Sequence, residues 1–313
     1  MKSVERQIIE AVSRIAQCDE WVNLRLGIGD DTAVYVPSIG EDLLLTTDQV
    51  VEGTHFEREI HPAHALGYKT IARAVSDIAA MGGNSLCCLL SLCLPDWTRP
   101  DWLRHYLRGL SVAIGRFNIP LVGGDVARGE KFNATLSAVG SVSQTAALTR
   151  HNAEPGDRLY VSGLLGGSAL GLKILREGGS SRRVAVRRHL YPEPRLALGR
   201  FLRNEVSASA AIDLSDGLSS DVIKLALASS VAIEIDVRSI PCYRGCSVDE
   251  AIVGGEEYEL LFTVPAKVKV PGAFDHVPLT KIGTIKTGSG VKLRTENGLI
   301  TLQDRGFHHF ESQ

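Results

Sequence analysis

The stretch PAHALGYKTIARAVSDIAAMGGNSLCCLLSLCL, residues 62–94, joins a helix pattern directly to a strand pattern. Pro62 is typical of a first helical turn, and apolar residues recur after it at helical spacing. Gly82 and Gly83 indicate where that helix ends. The apolar run Leu86–Leu94 then predicts a buried strand.

Helix and strand patterns continue on both sides of this stretch. Residues Val4–Ala16 and Pro100–Phe117 have helical patterns, whereas Leu43–Asp48 and Asn133–Ser143 have strand patterns. Because both element types occur in both halves of the chain, the fold class predicted is mixed α/β (α+β).

The length indicates two domains. At about 150 residues per domain, 313 residues correspond to roughly two. The polar segment 151–157 contains the turn signal Pro155-Gly156, which favours a boundary there. We therefore expect domains at 1–150 and 151–313.

Composition excludes several classes of protein. Hydrophobic residues make up 44% and charged residues 22%, as in ordinary globular proteins. A formal net charge of −2 and 6% aromatic residues argue against nucleic-acid or anionic-membrane partners. The most apolar run is far shorter than the about 20 residues of a membrane span, and the N-terminus lacks a signal-peptide pattern. We expect a cytoplasmic protein with reduced, unligated cysteines.

The informative residues are aspartates beside Gly, Ser or Thr at the ends of apolar segments. They are Asp30, Asp31, Asp48, Asp77, Asp125, Asp213 and Asp216. Taken singly, each is explained as a turn former or helix cap. If they converge, their mutual repulsion requires divalent cations. Mg²⁺ is favoured because it takes hard oxygen ligands such as carboxylates and the oxygens of Thr46 and Thr47.

Asp77 lies inside the helix predicted after Pro62, so capping does not explain it. Arg73, four residues earlier, could pair with it, although such pairs contribute only about 0.3–0.5 kcal/mol. A metal ligand on the helix face is an equally good interpretation.

Two glycine-containing segments have open interpretations. Residues 162–169 (SGLLGGSA) are either a tight strand-to-helix turn or an anion site at a helix N-terminus. The acids of GGEEYEL, residues 254–260, are either a solvated edge or a site for a cationic substrate, and the residues alone favour the edge. His55 is likewise an ordinary loop histidine or a substrate contact. The basic segment Arg176–Arg188 is expected to be an exposed loop.

The chain lacks the nucleophile motif G-x-S-x-G and a catalytic cysteine in a polar loop, so a covalent mechanism is hard to assign. Many aspartates and glycine loops favour phosphoryl transfer, in which the protein positions reactants and metals neutralise charge.

A set of motifs then resembles a known family. They occur in the order GIGDD (27–31), TTDQVVEGTHF (46–56), SDIAAMGG (76–83), GGD (123–125), LTR (148–150), PGD (155–157), IDLSDGL (212–218) and GGEEYELLFTV (254–264). This set resembles the thiamine-monophosphate kinases, within a superfamily that contains aminoimidazole ribonucleotide synthetase. The resemblance covers nearly the whole chain.

The resemblance implies an aminoimidazole ribonucleotide synthetase-like fold in two domains. The N-terminal domain would bind ATP and Mg²⁺ and pair in a homodimer, and the C-terminal domain would complete the site. The implied reaction is ATP-dependent phosphorylation of thiamine monophosphate to thiamine diphosphate. The transfer would be direct and in line, with several Mg²⁺ ions and no phosphoenzyme.

The resemblance also implies roles for particular residues. The metal ligands would be Asp31, Thr46, Thr47, Asp48, Asp77, Asp125, Asp213 and Asp216. The ATP contacts would be Gly124, Asp125, Arg150 and Ser215. The contacts to thiamine monophosphate would be His55, Glu256 and the C-terminal aromatic Phe307. The catalytic residues would be Asp48, Arg150 and Asp216, with Arg150 stabilising phosphate charge.

One departure from the family pattern lies in the motif GGEDYEL, where this chain has Glu257 in place of Asp. Other superfamily members are less similar. A selenophosphate synthetase would carry a reactive Cys or selenocysteine near its start, and the hydrogenase-maturation relative would end in Cys, whereas this chain ends in FESQ.

Overall fold

A computed structural model describes residues 4–16, 23–26, 34–180 and 183–308. The chain forms two compact units. The first runs to Ile78 and resumes over Gly83–Thr145, and the second comprises Ala79–Gly82 and the chain from Ala146 onward. The functions expected of domains 1–150 and 151–313 stay predictions.

The elements numbered up to β6 belong to the first part of the chain. They are α1 (Val4–Ala16), β1 (Leu24–Leu26), β2 (Val34–Tyr35), β3 (Glu41–Val51), α2 (Ala63–Ala80), β4 (Asn84–Leu94), α3 (Pro100–Phe117), β5 (Leu121–Arg128) and β6 (Asn133–Ser143).

The main sheet of the first unit has the strand order β3-β6-β4-β5. Strands β4 and β5 are parallel, and α3 connects them, whereas β6 pairs antiparallel with both β3 and β4. Alternate residues of β6, Ala134, Leu136 and Ala138, are buried. One face of this sheet therefore packs into the core of the unit.

Local sequence signals explain these elements. Pro100 stands in the first turn of α3, and Asn118 ends the helix in the left-handed conformation with φ 50°. The predicted helix Pro100–Phe117 and strand Asn133–Ser143 are confirmed. Strand β5 contains the motif Gly123-Gly124-Asp125.

The second part of the chain contains elements β7 to β14. They are β7 (Arg158–Ser162), α4 (Gly167–Arg176), α5 (Val184–Leu190), α6 (Leu196–Phe201), β8 (Ala210–Asp213), α7 (Leu218–Ser229), β9 (Ala232–Asp236), α8 (Val248–Val253), β10 (Leu260–Val264), β11 (Ala273–Phe274), β12 (Val277–Lys286), β13 (Gly290–Thr295) and β14 (Gly298–Thr301). A π-helical segment, Leu202–Val206, continues α6.

The sheet of the second unit has the order β14-β13-β9-β12-β7-β10-β8 and is antiparallel except for the pair β9 and β13. Both of its faces are buried at the centre. Leu159 and Leu261 belong to the core cluster that includes residues of α7, whereas Tyr160 and Phe262 belong to the cluster that includes α6. Sheets and helices in both units confirm the mixed α/β fold class.

The expectation of an exposed loop over Arg176–Arg188 is wrong at both ends of that range, because Arg176 is the last residue of α4 and Val184 begins α5, whereas residues 177–180 lie outside helices and strands. Residues Val184–Leu190 form helix α5, in which Ala185, Val186 and His189 are buried. The basic residues that suggested a loop include Arg188, which the fold uses in an ion pair with Glu257.

None of the helices within the described ranges is long and apolar enough to cross a membrane.

Helices α2 and α3 approach each other closely at two glycines. A Cβ atom on Gly67 would lie 1.9 Å from the carbonyl oxygen of Tyr106. Conversely, a Cβ atom on Gly109 would lie 1.8 Å from the carbonyl oxygen of His64. Both contacts are with backbone, which cannot move aside as a flexible side chain can.

We therefore expect Gly67→Ala to lower the free energy of unfolding by about 3 kcal/mol, at the upper end for overpacking. Urea denaturation followed by tryptophan fluorescence measures this. The matched control is Gly115→Ala on α3, where an added Cβ meets nothing within 4 Å. That control should gain about 0.5–1 kcal/mol of stability. Equal effects of the two substitutions would contradict the packing analysis.

Candidate functional site

Strand β3 carries Thr46, Thr47 and Asp48, and its alternation separates them. Thr46 and Asp48 share one face of the strand, whereas Thr47 lies on the opposite, exposed face. The hydroxyl of Thr47 lies 3.3 Å from both the Leu136 carbonyl oxygen and the Ser137 hydroxyl. Its side chain is therefore not brought together with those of Thr46 and Asp48.

Helix α2 faces Thr46 and Asp48 with two polar side chains one turn apart. The Thr46 hydroxyl donates to the Asp77 carboxylate at 2.5 Å. Arg73 donates to the Asp48 carboxylate at 3.4 Å, and its side chain is only 12% exposed. The spacing on the helix offered Asp77 as a partner for Arg73, and the tertiary structure adds Asp48 from strand β3. Two carboxylates and a hydroxyl therefore meet at one place, beside one arginine.

Gly124 and Asp125 lie on β5, at the other edge of the same sheet. Gly124 pairs in register with Leu90 of β4, and a Cβ atom on it would lie 1.8 Å from the Leu90 carbonyl oxygen. Three strand spacings, about 14 Å, separate β5 from β3. The structure of this unit therefore does not bring the exposed Asp125 to Asp48 and Asp77.

His55 lies in the turn that follows β3. Its Nδ1 atom accepts a hydrogen bond from the Val51 N–H at 3.1 Å. A ring nitrogen that accepts cannot also carry the proton, so the neutral ring carries it on Nε2. The turn thus orients the ring and leaves Nε2 as its donor.

Asp31 lies outside the described residues. Among the residues that are described, no group of three or more His, Cys, Asp or Glu side chains is placed to hold a metal ion.

In the second unit, three distant parts of the sequence converge on the loop after β8. Asp213, at the end of that strand, is buried. The Ser215 carbonyl accepts from the Glu256 N–H at 2.7 Å, and the Asp216 carbonyl accepts from the Phe307 N–H at 3.0 Å. The fold therefore brings Glu256 and Phe307, predicted to contact the substrate, to the loop that carries the predicted metal and ATP residues Asp213, Ser215 and Asp216.

The carboxylate of Asp216 has a partner that sequence reasoning missed. Lys224, on α7, forms an ion pair with Asp216 and another with Asp221, the latter at 2.8 Å. Asp221 also accepts the N–H groups of Asp216 and Gly217 at 3.0 and 3.1 Å. Burial raises the pKa of Asp221 to about 6, against the lowering influence of Lys224. The i, i+3 spacing of Asp221 and Lys224 was the available sequence signal.

Arg150 lies at the opposite end of α7 from this loop. Its carbonyl oxygen accepts from the Ser229 hydroxyl at 2.6 Å, and Ser229 is the last residue of the helix. Asp216 precedes the first turn of the same helix, about 18 Å away along its axis. The structure of the second unit does not bring Arg150 to Ser215 and Asp216, and its role stays a prediction from the resemblance.

The glycine-rich turn before α4 already holds an anion of the chain itself. The Ser168 N–H, in the first turn of α4, donates to the Glu257 carboxylate at 2.8 Å. Arg188 lies 3.3 Å from the other oxygen of that carboxylate. Burial raises the pKa of Glu257 to about 7, against the lowering influence of Arg188. The expectation of a solvated edge is therefore wrong for Glu257.

The expectation of a solvated edge is also wrong for Glu259, which is fully buried. Burial acts to raise the pKa of its carboxyl, but Arg195 and Arg188 outweigh burial and lower it. Arg195 donates to it through Nε at 2.8 Å and through a second nitrogen at 2.5 Å. The only sequence signal for this pair was an arginine beside apolar residues in PEPRLAL.

Comparison with known proteins extends over both units. Residues 29–142 match the family described as AIR synthase related protein, N-terminal domain, and residues 154–296 match its C-terminal domain. The chain is 34% identical to the thiamine-monophosphate kinase of Bacillus subtilis (strain 168) over 306 residues, covering 91% of this chain and 94% of that one.

Two solved structures are also similar. The crystal structure of thiamine-monophosphate kinase from Stenotrophomonas maltophilia K279a has a TM-score of 0.78 and 34% identity, covering 92% of this chain and 94% of that chain. A structure described as AaThiL complexed with AMPPCP and TMP has a TM-score of 0.79 and 29% identity, covering 99% of both chains.

The raised pKa of Glu257 predicts a specific pH dependence. Its folded-state pKa of about 7 lies above the ordinary 4.5, so its protonation stabilises the fold. That contribution is complete below pH 4.5 and is lost as the pH rises through 7, a change of about 3 kcal/mol. Glu257→Gln cannot titrate, so its stability relative to the natural chain should increase by that amount over this range.

Chemical denaturation at half-unit pH steps measures that difference. The control is Glu250→Gln on α8, because hydrogen bonds from Ser247 lower the pKa of Glu250. The contribution of Glu250 is complete above pH 4.5 and is lost only at lower pH, so the stability of Glu250→Gln relative to the natural chain should stay constant from pH 4.5 to 8. A constant difference between the natural chain and Glu257→Gln from pH 4.5 to 8 would contradict the assignment.

Proposed function

Because the chain belongs to the thiamine-monophosphate kinase family, we propose that it transfers the terminal phosphoryl group of ATP to thiamine monophosphate. The products are thiamine diphosphate and ADP. The observation that carries this proposal is the likeness of both units, over nearly the full length, to a structure that holds AMPPCP and TMP. The reaction makes the chain an enzyme of thiamine diphosphate synthesis.

The transfer is direct and in line. Acceptor and donor are both phosphates, so the protein must hold two anions together and limit their repulsion. The resemblance implies that Arg150 stabilises the charge of the transferring group and that Ser215 and Gly124 contact ATP, and the role of Arg150 rests on that resemblance alone. No covalent intermediate on the chain is required, which agrees with the absence of a nucleophile motif.

The donor atoms of the candidate site fit Mg²⁺. In the first unit they are the carboxylates of Asp48 and Asp77 and the hydroxyl of Thr46, which the structure brings together. Mg²⁺ characteristically takes one or two carboxylates and completes its shell with water and substrate phosphates. In the second unit the carboxylates of Asp213 and Asp216 are the donors. Bound Mg²⁺ ions neutralise phosphate charge during the transfer.

Other predicted ligands are supported less by local geometry. Asp125 lies across the sheet from Asp48, and the Thr47 side chain points to the other face, so only the backbone oxygen of Thr47 could join Thr46. Asp31 lies outside the described residues. These three rest on the resemblance.

The substrate side of the second unit suits a cationic ring. Glu256 and Phe307 bond to adjacent residues of the same loop, Ser215 and Asp216. A carboxylate and an aromatic face are the groups that bind an organic cation such as a thiazolium. The resemblance also implies that His55 contacts the substrate, and the turn after β3 orients its ring.

We infer a homodimer formed through the exposed face of the first unit's sheet. Leu43 and Leu45 are 47% and 74% exposed on β3, on the same strand face as Thr47. Leu89 of β4, 44% exposed, pairs with Ser137, which in turn pairs with Thr47, so it shares that face. Neighbouring exposed leucines on one sheet face are typical of an interface.

The reaction itself is tested with pure protein, ATP, Mg²⁺ and thiamine monophosphate. Chromatography should detect ADP and thiamine diphosphate in equal amounts, and chelation of Mg²⁺ should stop both. ATP binding without either product would contradict the proposal and direct attention to other phosphate acceptors.

Asp48→Asn should lower kcat at least about 100-fold, because the variant loses a metal-binding charge worth several kcal/mol in the transition state. The fold should persist, since the amide oxygen still accepts from Arg73. The control is Asp42→Asn on the same strand, where Asp42 accepts an exposed backbone N–H. A variant with normal kcat and unchanged dependence on Mg²⁺ would remove Asp48 from the metal site.

Leu45→Asp should convert the dimer into a monomer, because a charge replaces the most exposed leucine of the proposed interface. Light scattering after size-exclusion chromatography measures the mass. The control is Leu227→Asp, at a leucine that is 71% exposed on α7. A monomeric natural chain, or a dimeric Leu45→Asp variant, would contradict the inferred interface.

A further inference from the structure

His189 is a buried histidine that the proposed function leaves without a role. It lies near the end of α5, and its side chain is only 2% exposed. Its Nδ1 atom is 3.1 Å from the Ser168 hydroxyl and 3.5 Å from a carboxylate oxygen of Glu256. A buried polar ring thus contacts the carboxylate proposed to bind the substrate.

The packing of α4 against α5 brings the ring to this position. A Cβ atom on Gly171 of α4 would lie 2.2 Å from the Ala185 carbonyl oxygen and 3.0 Å from the His189 Cβ atom. The absence of a side chain at Gly171 therefore lets α5 approach until His189 reaches the first turn of α4.

The backbone around Glu256 is held in an unusual conformation. Glu256 and Tyr258 have φ values of 59° and 52°, in the left-handed region that residues with a Cβ atom rarely occupy. Their N–H groups donate to the carbonyls of Ser215 and Leu214. Such a conformation persists where the surroundings hold it firmly and is common at ligand sites.

Ser168 links the two adjacent acids of this segment. Its N–H donates to the Glu257 carboxylate. Its hydroxyl is within hydrogen-bond distance of Nδ1 of His189, and His189 contacts Glu256. The same helical turn therefore orients two neighbouring carboxylates. Glu257 is buried by this arrangement, whereas the Glu256 side chain remains 22% exposed and can reach a ligand.

We propose that His189 is a positioning residue that holds the Glu256 carboxylate in the orientation that binds the cationic ring of thiamine monophosphate. This inference rests on the proposed function. A glutamate side chain loses rotamer freedom when it binds a ligand, and a fixed partner removes part of that loss beforehand. His189 therefore acts on binding of thiamine monophosphate and does not touch the reacting phosphates.

His189→Ala should raise the Kd and KM for thiamine monophosphate about tenfold, the size expected for losing a polar contact to a charged group. The kcat and the KM for ATP should stay within about twofold of the natural values. His189→Asn should restore most of the affinity, because its amide nitrogen can donate from nearly the position of Nδ1.

A double-mutant cycle separates positioning from general loosening of the unit. If His189 acts through Glu256, adding His189→Ala to Glu256→Gln should weaken binding of thiamine monophosphate little further. Additive effects would overturn the proposal. So would an equal rise in the KM for ATP, or a failure of His189→Asn to recover affinity.

The matched control is His61→Ala, which removes a histidine of the first unit that is 4% exposed and whose Nδ1 atom accepts the Glu57 N–H. It should lower the melting temperature without a selective effect on thiamine monophosphate. Calorimetric titration with thiamine monophosphate, without ATP, measures the coupling independently of turnover. A natural chain that binds thiamine monophosphate but forms no thiamine diphosphate would contradict the proposed function and leave this test intact.

Discussion

The second unit depends on one buried carboxylate. Glu259 receives hydrogen bonds from Ser162 at 2.6 Å and from Arg195 at 2.8 Å, and Arg188 lies 3.3 Å away. Its backbone carbonyl accepts the Leu214 N–H, which anchors the loop after β8. Removing one partner of such a buried pair typically costs about 3–5 kcal/mol, because the other charge stays buried without compensation. The turn before α4, the helix α5 and the aspartate loop all contact this residue.

The same electrostatic constraint governs the carboxylates of the candidate site. Two carboxylates 4 Å apart repel by about 4 kcal/mol at an effective dielectric constant of 20. The chain limits this repulsion with its own cations, Arg73 beside Asp48 and Lys224 beside Asp216. Acids that would bind metal are therefore held in position by neighbouring cations, and the hydroxyl of Thr46 orients Asp77.

Local signals were sufficient for much of the fold and insufficient for the charged network. Helix α3 was predictable because Pro100 and Asn118 act within one turn of its ends. Helix α5 was not predictable, because its basic residues are typical of a solvated segment. Arg188 is partly buried through its contact with Glu257, 69 positions later in the sequence. The acids of residues 254–260 were misjudged for the same reason. Burial of a charge depends on a partner that neither periodicity nor composition reveals.

The sequence by itself determined the two-unit mixed α/β organisation and, through the order of its motifs, the family and its reaction. Those features depend on local backbone preferences and on residue identity. Only the tertiary structure decided which motif residues meet: Thr46 and Asp48 with α2, Glu256 and Phe307 with the loop after β8, and His189 with Glu256. It also separated Arg150 from that loop by the length of α7. The physical reason is that a side chain reaches only a few ångströms, so its partners depend on how distant segments pack.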